Sequence, residues 1–128
     1  MPKAIDIEAA LKGLARLRNR GPETAPEDEE PAFATLEKFG NGAVFTGSFD
    51  GSSPWERHRG GDELVHILKG ETQLTILSGE SEDILTLKAG MLTVVPQGCW
   101  HRFQAPNGVT VLTVTPQPTD HSTARDPR

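Results

Sequence analysis

A carboxylate and an imidazole stand two residues apart in the sequence PWERH, which covers residues 54–58. They belong to Glu56 and His58, and in an extended chain both side chains leave the same face. Carboxylate and imidazole groups are ligands that divalent transition metals use. The pair is therefore compatible with half of a metal site, although a charged stretch at the edge of a strand has the same appearance.

A second carboxylate, Glu63, follows His58 after the four residues RGGD. Two glycines in so short a connection favour a tight reversal of the chain. If the chain reverses there, His58 and Glu63 lie opposite each other on antiparallel strands, with their Cβ atoms roughly 5 Å apart. On a buried face, two carboxylates and an imidazole need a proton or a cation between them. On an exposed edge they need neither, so this stretch alone leaves both interpretations open.

A further imidazole, His101, lies just after the sequence PQG, where a strand-like run meets a proline and a glycine. These residues predict a bend, so His101 begins a new strand at a corner. His66 is three residues after Glu63 and points to the opposite face of a regular strand, and we interpret it as a packing or interface residue. Cys99 shares the strand parity of His101, but we interpret it as an inert buried cysteine.

Short strands must position these residues. From Ala32 onward the sequence consists of short runs rich in Val, Ile, Leu and Thr, each closed by Gly or Pro. The first two runs are joined at GNG, which predicts a hairpin. Strands at such regular spacing predict an all-β sandwich or barrel. No interval is long enough for the helical crossovers of a parallel α/β sheet.

We divide the chain into four parts. Residues 1–20 are predicted to form an amphipathic helix that is capped by Asp6 and packs on the barrel or on a partner subunit. Residues 21–31 are an acidic, Pro-rich linker, residues 32–116 are the β-barrel, and residues 117–128, which contain His121, are a disordered tail.

Bulk composition narrows the function further. The 128 residues fit one domain, and the net charge of −5 argues against a nucleic-acid partner. A single cysteine allows no intrachain disulfide. Neither a secretory signal nor a membrane-spanning stretch is expected, so we predict a cytoplasmic protein without a membrane partner.

The sequence resembles the cupin superfamily, in particular its small single-domain, cupin-2-like members. Four positions of the family's second motif occur at its spacings: Gly90, Pro96, Gly98 and His101. Three positions of the first motif match: His58, Glu63 and Gly70. The resemblance covers about residues 33–115 and implies a jelly-roll β-barrel, also called a double-stranded β-helix, with a short N-terminal helix.

The resemblance implies that His58, Glu63 and His101 are ligands of a divalent metal ion. Glu56 stands where the family usually has another histidine, which leaves two alternatives. If Glu56 coordinates, two imidazoles and two carboxylates favour Mn, Fe(II) or Zn over copper. If it does not, the other three residues form the two-His, one-carboxylate set of non-haem Fe(II) oxygenases. Glu56 is then a catalytic base beside the metal.

The resemblance further implies a metal-binding cupin that acts on a small molecule within the barrel, as an enzyme of oxygenase, isomerase or decarboxylase type. The alternative is a non-catalytic module that binds a small ligand or a metal. A metal-free polar network of Glu56, His58 and Glu63 is a third interpretation. We expect a homodimer, because open barrel edges need covering.

Overall fold

The computed structural model describes residues 1–128, of which about 59% are in strands. The strands are β1 (Leu17–Arg20), β2 (Phe33–Phe39), β3 (Gly42–Ser52), β4 (Trp55–His58), β5 (Glu63–Ser78), β6 (Ser81–Lys88), β7 (Leu92–Val95), β8 (Trp100–Pro116) and β9 (Thr119–Ser122). The helices are α1 (Ile7–Lys12), α2 (Pro26–Glu29) and a 3-10 helix (Glu30–Ala32). None of them has the length and apolar character that crossing a bilayer requires. The predicted all-β, cupin-type jelly-roll fold is confirmed.

Two long strands, β5 and β8, organise the sheet. They pair antiparallel with each other, and β8 also pairs antiparallel with β3 along most of its length. The first part of β5 pairs with β7 and the last part with β6. The predicted hairpin between β2 and β3 is present, with Gly40 and Asn41 as its two-residue loop.

The hydrophobic core lies on the inner face of these strands. Its buried members are Phe49, Val65, Ile67, Leu74, Ile76, Leu87, Val95, Phe103, Ala105, Val109 and Val111. Side chains alternate along a strand, so residues two apart enter the same interior. The inward row of β5 therefore begins with Glu63 before Val65, and the inward row of β8 continues from Val111 to Thr113 and Thr115. Strand parity thus places buried polar groups at one end of an apolar core.

The N-terminal segment differs from its prediction. Asp6 caps α1 as expected, but the helix ends at Lys12 and Gly13 forms its C-cap. The prediction of one helix over residues 1–20 is wrong in its second half, since Leu17–Arg20 is a strand parallel to β3. A glycine inside a helix costs about 1 kcal/mol relative to alanine, and unpaired backbone groups of β3 offer an alternative. The predicted linker over residues 21–31 contains α2 and the start of the 3-10 helix.

The C-terminal segment also differs from its prediction. Part of the tail predicted to be disordered forms β9, which pairs antiparallel with β4 over the whole of that short strand. Asp120 of β9 binds Arg57 and Arg59, at 3.0 and 2.8 Å between the nearest side-chain atoms. The outer edge of β4 is therefore covered by the chain's own C-terminal segment.

Candidate metal centre

Three polar side chains meet inside the barrel. His58, Glu63 and His101 are 3%, 5% and 1% exposed. His58 Nε2 lies 3.3 Å from Glu63 Oε2, and His101 Nε2 lies 3.0 Å from Glu63 Oε1. One nitrogen or oxygen atom from each residue lies within 4.8 Å of the others. These three residues could therefore hold one metal ion.

The strands bring the three residues together across the barrel interior. The hairpin predicted between His58 and Glu63 is wrong, because β4 pairs with β8 and β9, whereas β5 pairs with β6, β7 and β8. The shared neighbour is β8, in which His101 lies opposite both Glu56 of β4 and Ile76 of β5. The bend before β8 is present, and the backbone N–H of Gly98 (φ 78°) donates to the carbonyl of His58 at 2.9 Å.

The outer nitrogen of each histidine has a partner of its own. His101 Nδ1 lies 3.1 Å from the backbone carbonyl of Cys99, which can only accept, so Nδ1 carries the hydrogen. The Nε2 atom of a neutral His101 then carries a lone pair, which faces Glu63. His58 Nδ1 lies 2.9 Å from the hydroxyl of Thr119 in β9. Such partners set the orientation of metal-binding histidines.

The inner atoms of the site lack hydrogen-bond partners. His58 Nε2, His101 Nε2 and Glu63 Oε1 are buried and have no hydrogen-bond partner, although both nitrogens lie close to the carboxylate. A lone pair on a neutral His101 repels the carboxylate unless a proton or a cation lies between them. Neighbouring ligand atoms around one ion at about 2.1 Å lie roughly 3 Å apart. The donor set and its spacing fit a divalent metal ion.

The electrostatics of the metal-free site agree with this fit. Burial raises the pKa of Glu63, but interactions with His101 and His58 lower it to about 2 overall. Burial lowers the pKa of His101, whereas contact with Glu63 and the charge of Glu56 raise it, and the net shift is upward. Without metal, the site thus keeps a carboxylate and attracts a proton to His101. A metal ion would replace that proton.

Glu56 faces the same interior but lies apart from this group. It is directly opposite His101 across β4 and β8, so the two side chains share a face. Its carboxylate is not among the clustered ligand atoms; its Oε1 lies 3.7 Å from Nη2 of Arg20, and its side chain is 19% exposed. The two alternative roles of Glu56, metal ligand and catalytic base, both stay predictions.

The site opens onto a cavity of about 230 Å³. Its walls are formed by Arg20, Glu29, Phe33, Phe45, Thr46, Phe49, Glu56, His58, Glu63, Phe103, Val111, Thr113, Thr115, Gln117, Thr119 and His121. Four of the chain's five phenylalanines are in this wall. Apolar walls with a few converging polar groups are typical of small-molecule sites. A small organic ligand would therefore lie directly beside His58 and Glu63.

Four cavity residues lie outside the sequence prediction. Arg20 was expected on the basic face of a helix, and Thr119 and His121 in a disordered tail. Thr115 donates a hydrogen bond of 2.6 Å to Glu63 Oε2. Of these differences, only the position of Arg20 outside the N-terminal helix could have been found from the sequence. Gly13 is a plausible end for that helix, which would have placed Arg20 beyond it.

His66 stands where the sequence placed it, and Cys99 is less buried than predicted. His66 lies opposite Leu92 and Leu112, and like them it is not fully buried. Cys99 is half-buried, its Sγ lies 3.4 Å from Ser78 Oγ, and it belongs to no group of metal ligands.

Comparison with known proteins identifies the family. A family model described as a cupin domain matches residues 49–115, which is more than half of the chain. The chain therefore belongs to the cupin family, and the resemblance seen in its motifs is confirmed. No curated protein matches the sequence.

Solved structures share the fold at low identity. Protein NMB1881 from Neisseria meningitidis is 16% identical with a TM-score of 0.66, and the match covers 94% of this chain and all of that one. Hydroquinone 1,2-dioxygenase PnpCD, solved with Cd2+ and 4-hydroxybenzonitrile, is 22% identical with a TM-score of 0.56 and coverages of 66% and 63%. Oxalate decarboxylase from Bacillus subtilis, which has Mn(II) centres, is 12% identical with a TM-score of 0.59 and coverages of 70% and 26%. At these identities the likeness shows the fold alone.

The hydrogen bond from Thr115 to Glu63 generates a stability prediction. In metal-free protein, Thr115→Val is expected to lower the free energy of unfolding by about 1.5–3 kcal/mol, because it removes a donor to a buried carboxylate together with the 2.9 Å hydroxyl contact to Thr113. Thr110→Val is the matched control, since the Thr110 hydroxyl pairs only with the neutral Ser48 hydroxyl at 2.7 Å. Its cost is expected to be about 1 kcal/mol. Urea unfolding with a chelator present measures both, and equal losses would contradict a special role for the bond to Glu63.

Proposed function

We propose that the chain is a metal-dependent enzyme of oxygenase, isomerase or decarboxylase type. It binds a divalent ion, Fe(II), Mn or Zn, through His58, Glu63 and His101, and it acts on a small molecule in the adjacent cavity. One observation carries this proposal: three buried ligand atoms without hydrogen-bond partners converge beside a cavity whose wall contains four phenylalanines. Membership of the cupin family supports it.

The surrounding residues prepare the site for a metal and a ligand. A bound divalent ion would supply Lewis-acid chemistry to an oxygen of the ligand. Hydrogen bonds with the Cys99 carbonyl, the Thr115 hydroxyl and the Thr119 hydroxyl hold the three ligand side chains in place, so little reorganisation is needed. The phenylalanine walls exclude water and present flat apolar surfaces to the ligand's carbon skeleton.

Glu56 is proposed as the catalytic base. Its carboxylate is partly exposed, lines the cavity and shares a face with His101. A ligand held beside the three metal-binding residues would therefore have Glu56 within reach, and Glu56 would accept a proton from it.

Metal content tests the proposed site. Protein purified without an affinity tag or added metal is expected to contain about one Fe, Mn or Zn ion per chain by elemental analysis. His58→Ala and His101→Ala should each lose it, because two remaining ligands hold a divalent ion weakly. His66→Ala is the matched control and should retain the metal, since His66 faces the other way on β5. Metal-free wild-type protein that also binds no added ion would contradict the proposal.

Glu56→Gln separates catalysis from binding. The variant is expected to retain the metal but to lose turnover by about 10²–10⁴-fold, because an amide cannot accept the proton. Turnover is measured by mass spectrometry on a panel of small hydroxylated aromatics and carboxylic acids with metal-loaded protein. A ligand that binds the wild-type protein tightly without being converted would instead favour a non-catalytic binding module.

We further propose that the protein works in the cytoplasm as a homodimer. Its single cysteine suits a reducing compartment. On the outer face of the sheet, apolar residues from neighbouring strands form a stripe, in which His66 lies between Leu92 and Leu112: Val44, Leu64, Leu92, Val94, Leu112 and Val114. Leu92 and Val94 are 57% and 48% exposed, and a second copy of the chain would cover them.

Charge on this stripe should disrupt the dimer. Val94→Lys is expected to convert a dimer into a monomer, since a lysine head group in an apolar interface would lose its water. Ile84→Lys is the control, because Ile84 is also exposed, at 59%, but lies on β6 outside the stripe. Light scattering coupled to size-exclusion chromatography gives the mass of each variant. A monomeric wild-type protein would contradict the proposal.

A further inference from the structure

A buried cation, Arg20, enters the cavity from a segment outside the residues that match the cupin family model. The residue is 8% exposed. Its guanidinium lies 4.7 Å from the ring centroid of Phe49 and 5.4 Å from that of Phe33. Stacking of this kind holds the planar guanidinium in one orientation and is favourable for arginine.

The backbone around Arg20 is shaped to put it there. Leu17 and Arg20 are three apart in β1, yet Leu17 packs against the core and Arg20 lines the cavity. Between them Asn19 has a φ of 53°, and the register of β1 with β3 shifts there. On the facing strand Gly51 has a φ of 94°, and a Cβ atom at Gly51 would collide with the backbone of Arg20. This local geometry directs Arg20 inward.

Two carboxylates share the guanidinium. Arg20 Nε donates to Glu29 Oε1 at 2.7 Å, which is a short, charge-assisted hydrogen bond. Arg20 Nη2 lies 3.7 Å from Glu56 Oε1, an ion pair without a hydrogen bond. Glu29 therefore anchors the Arg20 side chain through Nε. The Nη2 end of the guanidinium attracts the carboxylate of Glu56.

We propose that Arg20 is a positioning residue that holds Glu56 on the cavity side, away from the metal, so that the ion has three protein ligands. This inference rests on the proposed function, because it assumes a metal at His58, Glu63 and His101. The carboxylate of Glu56 needs a cation in this half-buried place, and Arg20 and the metal ion compete for it. As long as Glu56 is paired with Arg20, coordination positions on the metal stay open for substrate. Glu56 then also stays free to accept a proton.

A double-mutant cycle on metal affinity tests the competition. The dissociation constant of Mn(II) is measured by chelator competition for wild type, Arg20→Met, Glu56→Gln and the double variant. Arg20→Met is expected to bind Mn(II) about tenfold more tightly, because the released Glu56 becomes a fourth ligand. In the Glu56→Gln background the same change should alter affinity much less, since only direct repulsion between Arg20 and the ion remains. Water-proton relaxivity per bound Mn(II) should fall in Arg20→Met alone, as Glu56 displaces a water molecule.

The control is Arg18→Met, which removes one positive charge from an exposed position of the same strand. It should match the wild type. Wild-type affinity in Arg20→Met, or an equal gain with and without Glu56, would overturn the inference. A wild-type protein that binds none of Mn(II), Fe(II) and Zn(II) would instead overturn the proposed metal site itself.

A crystal structure of Mn(II)-loaded wild-type protein tests the inference without any dependence on how variants fold. Glu56 is expected beside Arg20 and outside the coordination shell of the ion. A Glu56 carboxylate bound to the metal would refute the positioning role of Arg20.

Discussion

The buried carboxylate of Glu63 is the constraint on which the rest of the site depends. A carboxylate that is 5% exposed at the end of an apolar core is costly unless charges or hydrogen bonds compensate it. Two imidazoles approach it within 3.0 and 3.3 Å, and the hydroxyl of Thr115 donates to it. A proton shared within this group satisfies it only in part, because three of its buried atoms still lack hydrogen-bond partners. A divalent ion satisfies all three atoms at once.

The barrel makes this arrangement by register and not by local proximity. Glu63 begins β5, His58 ends β4, and His101 follows a bend into β8, so each ligand lies near the end of its strand. One outer hydrogen bond is local, from His101 to the carbonyl of Cys99 two residues earlier, whereas the partner of His58, the hydroxyl of Thr119, lies about sixty residues further along the chain. The C-terminal β9 therefore has two roles: it covers the edge of β4 and it orients His58.

Repeated local patterns are enough to predict most of the strands and the all-β fold. The grouping of His58, Glu63 and His101 is predicted from the resemblance to the cupin motifs, since the local argument for it, antiparallel pairing of β4 with β5, is wrong. The period of two also agrees with the presence of Glu56 and His58 in the same cavity wall. Arg20 could not be predicted in this way. Its inward direction depends on a left-handed Asn19 and on parallel pairing between β1 and β3, segments about thirty residues apart that share no local pattern. The polar sequence of β9 likewise has no alternation that would mark it as a strand.

The carboxylate at position 56 and the arginine at position 20 are best understood as one feature. Where the family usually has a neutral imidazole, Glu56 adds a negative charge to a cavity that already contains Glu63, and Arg20 supplies the compensating cation. With Glu29, the cavity wall has three carboxylates and one guanidinium, so a divalent ion with neutral histidines makes the wall neutral overall. The charge balance of the cavity thus depends on one glutamate inside the barrel and on one strand outside the residues that match the family model.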